Sequence, residues 1–189
     1  MPEPQIVPEI RRLASRQEAD ACAALMAGSE PWITLGRTYD EALELMTSPA
    51  WEVYVAIDDG RVLGFIIVVM TGAFVGYIRS IAVAHEARGM GIGSRLLEHA
   101  EARIHEESPN VFLCVSSFNP RARALYERLG YELVGPLKDF VVRGHSELLM
   151  WKSSGPLREF RPPHEGAVRD GPRPGEPGAP DPGGPAKPA

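Results

Sequence analysis

One stretch limits the folds open to this chain more than any other: Arg88-Gly89-Met90-Gly91-Ile92-Gly93-Ser94. It follows a segment that reads as a strand, Phe74 to Ala84. It opens another in which Ile92, Leu96, Leu97, Ala100 and Ile104 fall on one helical face. Three glycines at alternate positions leave the backbone amides unshielded by side chains. A helix N-terminus at the same place adds free N–H groups and a partial positive charge. Together these make an anion cradle suited to a pyrophosphate. Arg88 adds a formal charge and Ser94 a hydroxyl donor. The loop has no Lys where a P-loop needs one. The third glycine of a dinucleotide fingerprint is missing, and the loop lies mid-chain rather than after a first strand. A glycine-rich turn without a ligand is the plain alternative. The strand–loop–helix context and Arg88 argue against it.

Around this unit the chain alternates strands and helices. Ile6 to Leu13 reads as a first strand. Ser15 with Glu18, and Thr38 with Glu41, are capping-box signatures that open helices to about Ala27 and Thr47. Trp51 to Asp58 and Val62 to Thr71 are strands joined by the hairpin turn Asp59-Gly60. Asn110 to Ser117 is a buried strand, and Arg121 to Leu129 a short helix that Gly130 ends. Tyr131 to Gly135 and Ser146 to Lys152 are the last two strands. The expected fold is α/β (α+β): a mixed, mostly antiparallel sheet of six or seven strands with about four helices, not a uniform parallel repeat.

Composition divides the chain near Gly155. Residues 156–189 hold 10 of the 18 prolines and 6 of the 19 glycines, with five basic and five acidic residues. The formal charge of −5 therefore belongs to the body. Such a tail buries too little apolar surface to offset its ordering entropy. The expected division is a domain over 1–155 and a disordered tail over 156–189. The longest apolar run, Phe65 to Met70, is far short of the ~20 residues of a membrane helix. The polar, Pro-containing start is not a secretory signal. Cys22 and Cys114 read as free thiols of a reducing, cytoplasmic protein. The acidic balance argues against nucleic acid. No histidine pair has metal-ligand spacing, and no metal is expected.

Two motifs then carry a resemblance. Arg88, Gly91 and Gly93 meet the pattern [QR]-x-x-G-x-[GA], with Ile81-Ala82-Val83 upstream. Asn119-Pro120-Arg121-Ala122-Arg123-Ala124-Leu125-Tyr126-Glu127-Arg128-Leu129-Gly130-Tyr131 resembles N-x-x-A-x-x-L-Y-x-x-x-G-[FY]. Both motifs, in this order and with a strand between them, resemble the GNAT superfamily of acetyl-CoA-dependent N-acyltransferases over residues 6–152.

The resemblance implies a sheet splayed at the acetyl-CoA site. It assigns main-chain contacts with the pantetheine to Ile81, Ala82 and Val83. The backbone of Arg88, Gly89, Met90, Gly91, Ile92, Gly93 and Ser94 would hold the pyrophosphate. Asn119 would touch the pantetheine arm, although the same residue reads equally as a helix cap. Tyr126 resembles the general acid that serves the departing thiolate, against the plainer reading of a core aromatic. A backbone amide near Val83 is the oxyanion donor that the resemblance suggests. The implied partner is an amine, taken by a monomer or a homodimer.

The general base is missing from its usual strand, since Thr71 to Ala84 contains neither Asp nor Glu. Glu30, beside Pro31 and Trp32, is the leading substitute; a solvated loop charge is its plain alternative. Tyr77, Arg79 and Ser116 join Glu30 and Trp32 as acceptor-side candidates. At pH 7 an α-amine is roughly 14% neutral, whereas a lysine side chain is only about 0.04% neutral. A weak base therefore tilts the acceptor toward a peptide N-terminus or a small amine and away from protein lysine. A non-catalytic acyl-CoA-binding module is the other class left open.

Overall fold

The computed structural model describes residues 7–163. Seven strands form one sheet in the order β1-β2-β3-β4-β5-β7-β6. In chain order the elements are β1 (Glu9–Arg12), α1 (Arg16–Ala27), α2 (Tyr39–Thr47), β2 (Glu52–Asp58), β3 (Arg61–Val69) and β4 (Tyr77–Val83). Then come α3 (Ile92–Ile104), β5 (Asn110–Ser116), α4 (Pro120–Arg128), β6 (Glu132–Lys138) and β7 (Ser146–Ser153). All pairings are antiparallel except β4–β5. The expected mixed, mostly antiparallel sheet with four helices is the one found.

Local signals explain most element ends. Thr38 and Glu41 form a reciprocal capping box at α2. At α1 only half of the box forms. Ser15 accepts from Glu18 N, but the Glu18 carboxylate takes Ala14 N at 2.8 Å and the Arg11 guanidinium at 2.9 Å instead. Asp59 and Gly60, at φ 45° and 74°, make the two-residue β2–β3 hairpin.

Three strand ends differ from expectation. β1 begins at Glu9, and Ile6 lies outside the described residues. β4 begins at Tyr77 rather than Phe74. Gly76 sits at φ 88°, and a Cβ there would collide with the Asn110 carbonyl and Ile104, so the chain turns before the strand starts. β6 runs past Gly135-Pro136 to Lys138. It is the edge strand, where a residue without an N–H costs no ladder bond.

Alternation along β3 buries both of its faces. Ile66 and Val68 meet Ile92, Leu96, Leu97 and Ile104 of α3. Phe65 and Ile67 meet Ala19, Cys22 and Met26 of α1 and Met46 of α2. The α3 side extends to Leu113 and Val115 of β5 and Met150 of β7. The α1–α2 cluster stops at β4. That face of β5 and β7 is therefore free of α1 and α2, and a cleft opens there.

Candidate functional site

The cleft starts from a defect in the ladder. Arg79 is an extra residue in β4, since Val68 pairs with Ile78 and Ile67 with Ser80. β4 and β5 pair only at Tyr77–Phe112 and Ile78–Leu113 and then separate. Ala84 N bonds Leu63 O at 2.8 Å. Antiparallel alternation therefore turns the main-chain groups of Ile81 and Val83 away from β3, into the gap. The Val83 carbonyl accepts from Arg88 Nε at 3.2 Å. A cleft of about 700 Å³ follows the gap.

At one end lies the glycine loop. Gly89 and Gly91 have φ of 85° and 78°, and a Cβ on either would meet nothing within 4 Å. Gly93 is helical, and its Cβ would make only ordinary contacts, 3.7 Å to Val83 and 3.9 Å to Leu125. Packing within the chain does not demand glycine at 93. Space for something approaching from the cleft does. The first turn of α3 has neither a side-chain cap nor an acidic residue, so its amides remain available. Ile92 and Ser94 also line the cleft, while Met90 is half exposed and outside its lining. Five arginines (Arg37, Arg79, Arg88, Arg121 and Arg128) and two glutamates (Glu30 and Glu147) line it. A chain that is acidic overall thus presents a cationic cleft, suited to a polyanion.

α4 supplies the middle of the cleft. Asn119 caps it, accepting from Ala122 N at 3.2 Å, and also lines the cleft. Its cap role is thus visible and compatible with a ligand contact. Tyr126 is 6% exposed and lines the same space; burial pushes its phenol up to about 12. Its hydroxyl has no bonded partner among the described residues. The Tyr131 ring meets the Tyr126 ring edge-on at 5.9 Å. Tyr131 is itself fixed by donation to Glu101 at 2.9 Å, and Lys152 anchors the same carboxylate at 2.7 Å. A constrained neighbour therefore holds the Tyr126 ring.

The acceptor-side candidates all line the same cleft. Glu30 and Trp32 come from the α1–α2 connection, Tyr77 and Arg79 from β4, and Ser116 from β5. Glu30 is exposed and accepts from Thr34 N and Oγ1 at 3.2 and 3.1 Å. Arg79 lies over the Trp51 ring at 5.0 Å. Cys22 is core, but Cys114 lines the cleft rather than the core.

Sequence reasoning passed over Glu147 on β7. It is 7% exposed, lines the cleft, and accepts from Ser116 Oγ at 2.7 Å. Burial raises its carboxyl, against the lowering by Ser116 and His145. One signal was available: a lone acid in the apolar strand Ser146–Trp151. The partner Ser116 is 31 residues away, and only the insertion of β7 between β5 and β6 brings the two together.

The description "Acetyltransferase (GNAT) family" matches residues 14–131. The chain belongs to the GNAT family of acetyltransferases. An uncharacterized N-acetyltransferase of Methanocaldococcus jannaschii is 37% identical over 110 residues, which cover 55% of this chain and 70% of that one. An N-alpha-acetyltransferase of Sulfurisphaera tokodaii is 31% identical over 110 residues, covering 51% and 66%. An aminoglycoside 6'-N-acetyltransferase crystallised with coenzyme A shares the fold at TM-score 0.64 and 20% identity, covering 78% of this chain and 98% of that one. As a GNAT protein the chain is an acyltransferase. Its glycine loop and α4 motif line the same cleft, and a Cβ on Gly93 would lie 3.9 Å from Leu125 of α4. No helix among the described residues is long and apolar enough to cross a membrane. No group of three or more metal-ligating side chains gathers among them.

Proposed function

We propose that this protein transfers the acetyl group of acetyl-CoA to a primary amine by direct attack on the thioester. The observation that carries the reading is continuity. The β4 edge at Ile81 and Val83, which β5 leaves without a strand partner, leads through the short 3-10 turn His85–Ala87 to the open glycine loop at the N-terminus of α3. Pantetheine amides pair with such an edge, and a pyrophosphate suits such a loop. The backbone of Arg88, Gly89, Gly91, Ile92, Gly93 and Ser94 holds the phosphates. Asn119 reaches the pantetheine arm, and an amide near Val83 faces the oxyanion. The coenzyme A held by the aminoglycoside-modifying neighbour supports the same donor.

Tyr126 serves the leaving sulfur. A phenol near 12 stays protonated at neutral pH. Against a thiol of about 8.5, full proton transfer is uphill by roughly 5 kcal/mol. Tyr126 therefore acts first as a hydrogen-bond donor to the thiolate. It yields its proton only as it regains one from the acetylated nitrogen.

The acceptor is a peptide N-terminus or a small amine, in line with the archaeal N-alpha-acetyltransferase relative. Residues 1–155 form the working unit, in the cytoplasm, as a monomer or homodimer. Calorimetric titration with acetyl-CoA tests the reading. Saturable binding by the wild type and none by the folded Gly91→Asp/Gly93→Asp double variant is the expected result. A wild type that does not bind acetyl-CoA overturns it.

A further inference from the structure

Among the described residues Glu147 is the only buried side chain of the Asp, Glu, Lys, Arg or His type. No cation lies within 4.0 Å of it, and its one hydrogen bond comes from the Ser116 hydroxyl. A carboxylate withdrawn from water and left without a cation is costly. It faces the cleft, on the sheet face that α1 and α2 leave bare. We propose that Glu147, oriented by Ser116, receives the ammonium group of the acceptor and takes its proton. This rests on the acetyltransferase reading above.

The groups around Glu147 leave it alone in this role. Ser116 and Cys114 face it from β5, Tyr77 and the bulged Arg79 from β4, and His145 from the β6–β7 connection; β6 sets Leu137 opposite it. Burial raises both the Tyr77 phenol and the Cys114 thiol, so neither competes as an anion near neutrality. Glu30, the other cleft carboxylate, is exposed and already bonded to Thr34.

The proton balance follows. The ammonium gives one proton to Glu147, and the neutral amine attacks the thioester carbonyl. A C–N bond forms and the carbonyl electron pair moves to oxygen. Collapse breaks the C–S bond, and the thiolate takes the Tyr126 proton. The amide nitrogen returns its second proton to Tyr126, and Glu147 releases its proton to solvent. The products are the acetylated amine, coenzyme A thiol and one proton.

The surroundings also set the acceptor class. Arg37 and Arg79 line the same cleft as Glu147, and Trp32, Phe118, Phe140 and Val141 supply apolar walls. A polycationic amine would meet two arginines with one free carboxylate. A single ammonium on an apolar or aromatic body fits.

The test compares wild type, Glu147→Gln, Glu147→Asp and Ser116→Ala against 2-phenylethylamine, an apolar tetrapeptide with a free N-terminus, and spermidine. Glu147→Gln keeps the wild-type Kd for acetyl-CoA, which also reports that it folds. At pH 7 it loses about 100-fold in kcat/KM. That deficit shrinks as pH rises and the free amine supplies itself. Glu147→Asp restores part of the rate, and Ser116→Ala moves the acid limb of the profile upward. The phenylethylamine or peptide outruns spermidine. A Gln variant within threefold of wild type at pH 7, a loss constant across pH, or spermidine as the best acceptor overturns the proposal.

Carboxyl NMR of glutamate-labelled protein reads the same site without turnover. The resonance missing from Glu147→Gln should titrate above the ordinary glutamate range and shift on adding 2-phenylethylammonium. A resonance that ignores the amine overturns the proposal even if no amine is acetylated. Failure of the wild type to bind acetyl-CoA is read separately and strikes the donor assignment.

Discussion

The two ends of the cleft are built from different material. The proposed donor end is backbone: the Ile81 and Val83 edge and the amides of one seven-residue loop, contiguous in sequence. The proposed acceptor end is side chain: Glu30 and Trp32 from a loop, Tyr77 and Arg79 from β4, Ser116 from β5 and Glu147 from β7. A main-chain site depends on conformation and on empty space, so few side-chain identities matter beyond the glycines. A side-chain site depends on which residues the fold brings together. The first can stay constant while the second is rewritten, which is how one fold serves different acceptors.

The strongest way to break this comparison is to load the backbone end with side chains. Gly91→Asp puts a carboxylate where its Cβ meets nothing within 4 Å, at φ 78°. Folding survives, because the strain of a left-handed residue is only about 1–2 kcal/mol. Negative charge at the mouth of α3 should weaken acetyl-CoA roughly 100-fold or more, read by calorimetry. A Gly91→Asp protein that binds as wild type would show that the donor is held elsewhere. Glu147→Gln is the matching control, since it changes the acceptor end and leaves the donor affinity unchanged.

Between the two ends sits Tyr126, which belongs to neither. Tyr126→Phe keeps the ring packing against Tyr131 and removes only the hydroxyl. Coenzyme affinity should hold, while kcat falls by about 10- to 100-fold. That lies at or below the usual range for acid catalysis, because a thiolate already leaves tolerably. Loss of acetyl-CoA binding in this variant would instead assign the hydroxyl to the donor end.

This division also explains what could be read in advance. Helix starts at Ser15 and Thr38, the Asp59-Gly60 hairpin and the α3 stripe are local signals, and the elements follow them to within a few residues. The glycine loop that opens α3 was legible for the same reason. Glu147 was not. Its meaning comes from Ser116 across the β5–β7 register, and β7 reaches that place only by passing β6 in the sheet order. Glu30 stood out in the sequence as an acid beside apolar residues, yet Thr34, four residues on, satisfies it locally. The bulge at Arg79 has no composition signal either, although it precedes the separation of β4 from β5.

The mouth of the acceptor end gives a smaller effect. Phe140 and Val141, in the β6–β7 connection, are 63% and 47% exposed and still line the cleft. Replacing both by Ala should raise the acceptor KM by about three- to tenfold, with kcat and acetyl-CoA affinity unchanged. A change in acetyl-CoA affinity would mean that the hairpin reaches across to the donor end.

The smallest effect concerns the other end of β5 and β7, at Asn110 and Trp151. Ser154 N bonds Pro109 O at 2.9 Å, and Trp151 Nε1 donates to Asn110 Oδ1 at 3.0 Å. Leu157 lies beside Trp151 but remains 65% exposed. Residues 164–189, most of the Pro- and Gly-rich tail, lie outside the described residues. Among the described residues, neither end of the cleft draws on 155–163. A segment with so few large apolar residues adds little to a core, so removing 164–189 should leave Tm, acetyl-CoA affinity and turnover as they are. Removing 156–189 strips Leu157 from Trp151 and should lower Tm by only about 1–2 °C, because so exposed a side chain contributes well under 1 kcal/mol. If either truncation changes the acceptor KM, the tail contributes to the acceptor end, and the side-chain half of the site is larger than the cleft that β4, β5 and β7 enclose.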